Sequence, residues 1–467
     1  MRIQTSQVRG VLLCCVTLGA CLVGTRPAVA EVTLMEKDGW TFFTDGRVNV
    51  FGSVGFGDDF PNPTPNTNVD AMGNPGPPHT SVIGFGQPFT AGFDSFQGNA
   101  NGKYLATRFR SGFLGSILAF GIKRQVTETT TAKAYISLWG TAEAFSRDRV
   151  LDIGNSSTKG FDVREGYVSF EGPWGTAGVG HQSGIFGGIG TEIDYLYAHA
   201  YGLGLPCLDV YYPTCGHVGT GAMSPGFAPG FVYTTPDING VKVKVGLYDP
   251  VRLLGIWERV PYPRPEAALT YERRISPGLA FKLQTEGMYQ PMKQLGGTDE
   301  TSVWGVAAGG RLEAGPFRLG LSGFRGRGLG VYVALQNAGS TFSNITKELR
   351  YFTGLYGQTA YVTGPWQFSL GLGRLIDDQL TTDKNDPSTS ELKSQTGASA
   401  VINYAVTSNL VVDVDYFFFR TDWWGAPNSI FNGTDANGNP IVQILPGYLT
   451  PEKQVISFIN IGATFHW

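Results

Sequence analysis

From Arg47 to Trp467 the chain is a succession of short runs in which apolar and polar residues alternate. In Val241-Lys242-Val243-Lys244-Val245 the valines share one face and the lysines the other. Phe281, Leu283 and Tyr289 oppose Lys282, Gln284 and Glu286, and Ile459, Ile461, Ala463, Phe465 and Trp467 oppose Asn460, Gly462, Thr464 and His466. A period of two is the signature of a strand with two different environments on its faces. The expected strands are 47–57, 105–125, 132–143, 161–171, 176–182, 230–236, 241–249, 266–275, 279–289, 302–314, 317–327, 350–363, 367–376, 398–407, 410–422 and 456–467. Region 105–125 is counted once, although Gly112, Gly115 and Gly121 could mark a break in it.

The connections alternate too. Tight turns (Gly172-Pro173-Trp174-Gly175, Ser276-Pro277-Gly278, Gly315-Pro316, Gly364-Pro365-Trp366, Ser408-Asn409) alternate with long polar segments such as 58–103, 183–229 and 424–454. An even number of antiparallel strands, with short turns at one end and long loops at the other, is the pattern of an outer-membrane barrel. The expected fold is therefore all-β, a 16-stranded antiparallel transmembrane β-barrel over residues 47–467, preceded by a periplasmic segment 31–46. A soluble sandwich also alternates, so the decision rests on the turn-and-loop rhythm, the aromatic last residue and the leader. Aromatics near strand ends (Trp304, Tyr351, Phe352, Trp366, Tyr416 to Phe419, Trp423, Trp424) suit the two interfacial girdles of such a barrel.

The leader is residues 1–30. Arg2 and Arg9 precede an apolar core from Val11 to Gly24, and Ala28-Val29-Ala30 forms a small-residue cleavage site. Leu18-Gly19-Ala20-Cys21 is an alternative lipidation signal, and either reading takes the protein out of the cytoplasm. Beyond it no apolar run approaches the ~18 residues that a membrane-spanning helix requires.

Removing residues 1–30 takes away three arginines and no acid, leaving 32 basic against 38 acidic residues. That balance excludes a nucleic-acid protein, which needs a basic field. Cys207 and Cys215 then remain as an even pair in an oxidising compartment, where a disulfide closing a small loop is expected and two free thiols are the alternative.

The segment Arg164-Glu165-Gly166-Tyr167-Val168-Ser169-Phe170-Glu171-Gly172-Pro173-Trp174-Gly175-Thr176-Ala177-Gly178-Val179-Gly180-His181-Gln182 resembles a marker hairpin of the general diffusion porins of Gram-negative bacteria, with His181 in place of the family's usual Arg. Val48 to Gly52 resembles the opening strand and Gly462 to Trp467 the closing one, with Trp in place of the final Phe. The resemblance implies a homotrimer of water-filled barrels in the outer-membrane lipid, each passing small polar solutes and ions. It also implies that the third external loop, Ser183 to Pro229, folds inward as a constriction.

On that reading a short helix is expected over Glu192 to Ala200. Glu192, Asp194 and Asp209 bring negative charge to the eyelet, opposite a basic wall of Arg108, Arg110, Lys133 and Arg164. Facing rows of opposite charge set up a transverse field that favours small polar solutes. Lys242, Lys244, Lys282 and Glu286 are expected on the lumen wall; Arg274 and Arg311 join the bases there, and Glu143, Glu272, Glu313, Asp413 and Asp415 the acids. A substrate-selective alternative would use Tyr195, Tyr197, Tyr201, Tyr211 and Tyr212 as a sliding surface for sugars. A third reading is a closed barrel serving as adhesin or enzyme scaffold.

No enzyme or cofactor chemistry is expected. The five histidines lack the spacing of a zinc helix, and no Gly-x-Ser-x-Gly elbow occurs. Asp435-Ala436-Asn437-Gly438-Asn439 begins like a calcium loop but lacks its distal Glu.

Overall fold

The structure, a computed structural model, describes residues 31–58, 103–140, 161–198, 202–206, 214–250, 257–259, 262–294, 299–333, 348–381, 391–424, 429–434, 440–444 and 453–467. The chain opens with β1 (Val32–Lys37), β2 (Trp40–Asp58), β3 (Lys103–Arg110), β4 (Ser116–Gln125), β5 (Thr131–Gly140), β6 (Phe161–Gly172) and β7 (Gly175–Ser183). The third loop carries a one-turn helix α1 (Ile189–Glu192) and a small bridge of β8 (Leu205–Pro206) and β9 (Thr214–Gly216). Then come β10 (Phe227–Thr234), β11 (Val241–Tyr248), the short β12 (Trp257–Arg259), β13 (Arg264–Ser276), β14 (Leu279–Gln294), β15 (Glu300–Ala314) and β16 (Phe317–Arg327). β17 (Tyr351–Thr363), β18 (Trp366–Asp377), β19 (Glu391–Ala405) and β20 (Leu410–Trp424) follow. A hairpin of β21 (Ser429–Thr434) and β22 (Pro440–Ile444) lies in the last external loop, before β23 (Lys453–His466).

Neighbouring strands pair antiparallel all the way round, and β23 pairs with β2 from Gly57↔Ile456 to Arg47↔His466, closing a barrel of sixteen strands. The expected tight turns join paired ends: Gly172↔Gly175, Ser276↔Leu279, Ala314↔Phe317 and Thr363↔Trp366 are each separated by two residues. Gly315 and Gly364 take the left-handed φ values of 58° and 53° that such turns demand. At the seam Gly46 and Trp467 exchange both backbone hydrogen bonds, at 3.2 and 3.1 Å. A Cβ on Gly46 would lie 2.3 Å from the Ile117 carbonyl and 2.7 Å from the Trp467 ring, so only glycine fits there.

Two departures from the expected strands have clear causes. Region 105–125 is broken, yet β3 and β4 both pair with the same edge of β2, Phe51↔Arg110 and Arg47↔Ile117, so the strand count is unchanged. The residues between them bulge from the ladder, and Asn49 fills the gap: its amide donates to Gly115 O (2.8 Å) and accepts from Gly112 N (2.7 Å). The first barrel strand also starts earlier than residue 47. Asp38 and Gly39, at φ 52° and 79°, turn β1 back onto Trp40–Thr44, so residues 32–44 form a hairpin. β1 lies along the edge of β2 that carries β23 further on, and so continues the place of the last strand.

The faces follow the alternation. Leu283, Tyr289, Leu355, Leu372, Ile461 and Phe465 are exposed on the outside, while Asn49, Ser53, Gln284, Gln358, Asn403 and Asn460 are buried on the inside. The aromatic girdle is only partly as expected. Trp366 and Tyr416 face outward, whereas Phe352, Phe417 and Phe419 face inward and are buried.

Candidate functional site

Those inward phenylalanines are covered by the third loop. Phe186, Ile189, Ile193, Tyr195, Leu196, Tyr197, Leu205, Val218 and Met223 from the loop pack with Met288, Val303, Phe324, Phe352, Leu375, Val401, Phe417 and Phe458 from the wall in one apolar cluster. A loop made this apolar cannot remain in water, and the wall beneath it is apolar at matching inward positions.

Polar wall residues fix its path. Glu266 accepts Ile185 N and Phe186 N at 2.7 and 2.8 Å, and Glu286 accepts Gly187 N and Ile189 N at 2.7 and 3.2 Å. Gln358 behaves like a strand partner, accepting Tyr195 N and donating to Ile193 O, both at 2.7 Å. Gln367 donates to Tyr195 O at 2.7 Å. Asp415 accepts Leu203 N and Gly204 N at 3.1 and 3.3 Å, and Asn460 donates to Gly204 O at 3.1 Å. The loop finally reaches the β3–β4 bulge, where Phe113 N donates to Gly202 O and Thr214 Oγ1 to the carbonyls of Ser111 and Gly112. The loop amides that reach the wall thus meet side-chain acceptors there.

Within the loop His217 stacks on Tyr356 at 4.2 Å and 6°, and burial holds its imidazole below the usual histidine range, only partly opposed by Asp194 3.9 Å away. Cys215 is disulfide-bonded; its expected partner Cys207 lies outside the described residues, as does Asp209.

The expected charges take different places from an open eyelet. Asp194 is fully buried and does not face the lumen: its carboxylate accepts the N–H groups of Leu196, Tyr197 and Ala198. That self-capping also explains why the helix ends at Glu192 instead of running from 192 to 200. Glu192 is half-buried and bonded to Lys282 on the adjacent wall, and its carbonyl accepts from Arg311 at 3.4 Å. Lys282 and Glu286 lie under the loop, 4% and 5% exposed, and therefore do not line open water. Arg110 is buried beside the bulge. Arg164 lies over Trp139 and Phe227 and pairs with Asp162 at 3.3 Å. The register places Arg108 opposite Ser53 on the inner side, with its side chain outside the described set. Lys242 and Lys244 occupy inward positions opposite Thr270 and Ala268, and Lys242 lies 3.6 Å from Asp237 near the short turn.

Facing the lumen from β2, β4, β5 and β6 is a polar wall. Asp45 accepts from Tyr135 at 3.0 Å, Ser137 donates to Glu165 at 3.0 Å, and the Tyr135 and Tyr167 rings lie 5.4 Å apart. Glu31, ahead of β1, reaches over this wall to Lys123 (2.6 Å) and Lys133 (2.8 Å). Sequence reasoning placed Lys133 at the constriction but missed Glu31 and Lys123. Alternation with Ala119 and Gly121 marks Lys123 as inward, whereas nothing local to Glu31 announces its reach.

The model of the Gram-negative porin family matches residues 20–422. The chain belongs to the Gram-negative porins. This porin is thus an outer-membrane channel for passive diffusion, and its family and fold mark it as a channel rather than an enzyme. No curated protein matches it in sequence. Among solved structures it is similar to the outer membrane channel DcaP of Acinetobacter baumannii, with a TM-score of 0.57 and 12% identity over 93% of this porin and 100% of that chain. It is also similar to an anion-selective porin from Comamonas acidovorans, with a TM-score of 0.54 and 13% identity over 92% and 100%. At such identities the likeness is one of fold.

Proposed function

We propose that this porin is a general diffusion channel, working as a homotrimer and passing small hydrophilic solutes and ions without binding any one of them strongly. The observation that carries the reading is the lodged loop. It narrows the lumen by packing against the wall from β13 round to β23, while Lys123, Lys133 and Glu31 on the other side stay between 28% and 38% exposed. A barrel narrowed in this way sorts solutes by size and polarity with no covalent step.

The sugar-slide alternative loses two of its members, because Tyr195 and Tyr197 are 3% and 1% exposed and serve to seat the loop. Tyr201, Tyr211 and Tyr212 lie outside the described residues. In the proposed pore the loop is set by its apolar face and wall acceptors, and Glu192, the half-buried acid beside Lys282, is its contribution to the lining.

Liposome swelling with sugars of graded size tests the proposal. A smooth fall in rate with size is expected. Saturable uptake of one sugar would move the assignment to a selective channel, and a silent membrane with a heat-modifiable folded barrel would end the pore reading.

A further inference from the structure

The Glu31 carboxylate lies between two ammonium groups in a prepared place. Its oxygens are 2.6 Å from Lys123 Nζ and 2.8 Å from Lys133 Nζ. Both ammoniums stand over the buried ring of Phe43, at 5.2 and 4.7 Å from its centroid, and Lys133 lies 5.1 Å from the Tyr135 ring. Ring faces hold the cations where they are and leave their N–H groups for an anion. The other acids of this wall have donors of their own, Asp45 from Tyr135 and Glu165 from Ser137. All three charged groups keep 28% to 38% of their surface exposed, so the place is open to water.

Glu31 belongs to no strand. It precedes β1, whose pairing with β2 starts at Val32↔Thr44 and shifts register between Thr33 and Met35. The carboxylate is therefore presented by the residue just ahead of the β1–β2 ladder, whereas both lysines are fixed on β4 and β5, directly opposite each other in register.

We propose that Lys123 and Lys133, on the Phe43 ring, form a lumenal binding site for small organic carboxylates, and that Glu31 is a tethered occupant which competes with them. The inference rests on the diffusion-pore reading and deepens it: carboxylate solutes meet a weak station on one wall, and the chain's own Glu31 keeps that station from trapping them. A tethered group acts at an effective concentration on the order of millimolar. Removing its charge lets a free carboxylate bind about tenfold more readily, while a solute without a carboxylate gains nothing.

The test is current blocking in planar bilayers by succinate added to symmetric KCl, using the full-length protein refolded from detergent. Glu31→Gln is expected to lower the half-blocking succinate concentration about tenfold, and Glu31→Asp, which keeps the charge, to stay near native. Adding Lys123→Gln and Lys133→Gln to the Glu31→Gln protein is expected to abolish the gain. Equal blocking of native and Glu31→Gln channels overturns the proposal, and so does a gain that survives loss of both lysines. The KCl steps themselves report the pore, so their absence from every protein, native included, counts against the diffusion reading and not against this site.

Discussion

Asp415 is the wall acceptor whose loss has the most readable consequence. Its carboxylate is fully buried on β20 and takes two loop amides, Leu203 N at 3.1 Å and Gly204 N at 3.3 Å, on the same oxygen, while Asn460 donates to the other. A hydrogen bond to a charged group contributes ~1.5–3 kcal/mol. Because these two are long and share an acceptor, the lower figure applies to each, giving ~3 kcal/mol for seating this part of the loop. Asp415→Ala removes both bonds and strands the donors in an apolar cluster. A change of ~3 kcal/mol is about a hundredfold in the opening equilibrium.

The barrel itself is spared, because β20 keeps its pairing with β19 and β23 through backbone groups. Thermolysin digestion of the folded porin reads this directly. Cleavage within residues 202–205 is expected to quicken about a hundredfold when opening is fast relative to cutting, with the folded band retained on an unheated gel. Asp415→Asn keeps one carbonyl acceptor and should show a smaller rise. If Asp415→Ala is cut there at the native rate while remaining folded, the wall carboxylate does not seat the loop and the account of its docking fails.

Asn49→Ala should weaken the barrel at the β3–β4 bulge by about 2–4 kcal/mol, since it leaves the Gly112 N–H and the Gly115 carbonyl without their amide partner; the urea midpoint of unfolding in detergent measures this. His217 is held below its usual value by burial, so the docked loop takes up the proton less readily than the free one. Docking is therefore fully stable above about pH 6.5 and weakens as the pH falls from there toward the depressed value of the docked imidazole. Thermolysin cleavage near residue 217 should rise from pH 7 to pH 5 in native protein and stay flat in His217→Phe. For Glu31, burial raises the pKa but the two lysines more than offset it, leaving the group below 4.5. Its tie to the lysines is complete above that pH and is lost as the pH falls through the depressed value, so the difference between native and Glu31→Gln channels in reversal potential under a KCl gradient should disappear in strongly acidic buffer.

The strand count and the side each residue faces were legible because both depend on a period of two, which a one-residue slip would invert along a whole strand. Lys242, Lys244, Lys282, Glu286, Asp413 and Asp415 share the inner side of their strands, which the alternation alone gives. What the inner side touches was not legible from the same pattern. Yet β20 holds a clue: its inward positions run Asp413, Asp415, Phe417, Phe419. Two phenylalanines facing a water-filled lumen would be unfavourable by ~1.5–3 kcal/mol each, so an apolar stretch on an inner face implies that something covers it.

The same physics reverses the role first given to the acids. A constriction was expected to carry its acids on the loop, facing bases on the wall. A loop folded into a barrel, however, brings unpaired backbone N–H groups into a space where packed side chains exclude water. Those donors need acceptors, and the ladder of the wall has none free, because its carbonyls already pair with neighbouring strands. Side-chain oxygens at inward positions must supply them. Glu266, Glu286, Gln358 and Asp415 do so on β13, β14, β17 and β20, and Asp194 does so within the loop. An acid at an inward strand position next to apolar inward neighbours is thus better read as a loop acceptor than as part of the solute's path. The wall the loop leaves uncovered keeps its charges partly exposed, Lys123 and Lys133 among them.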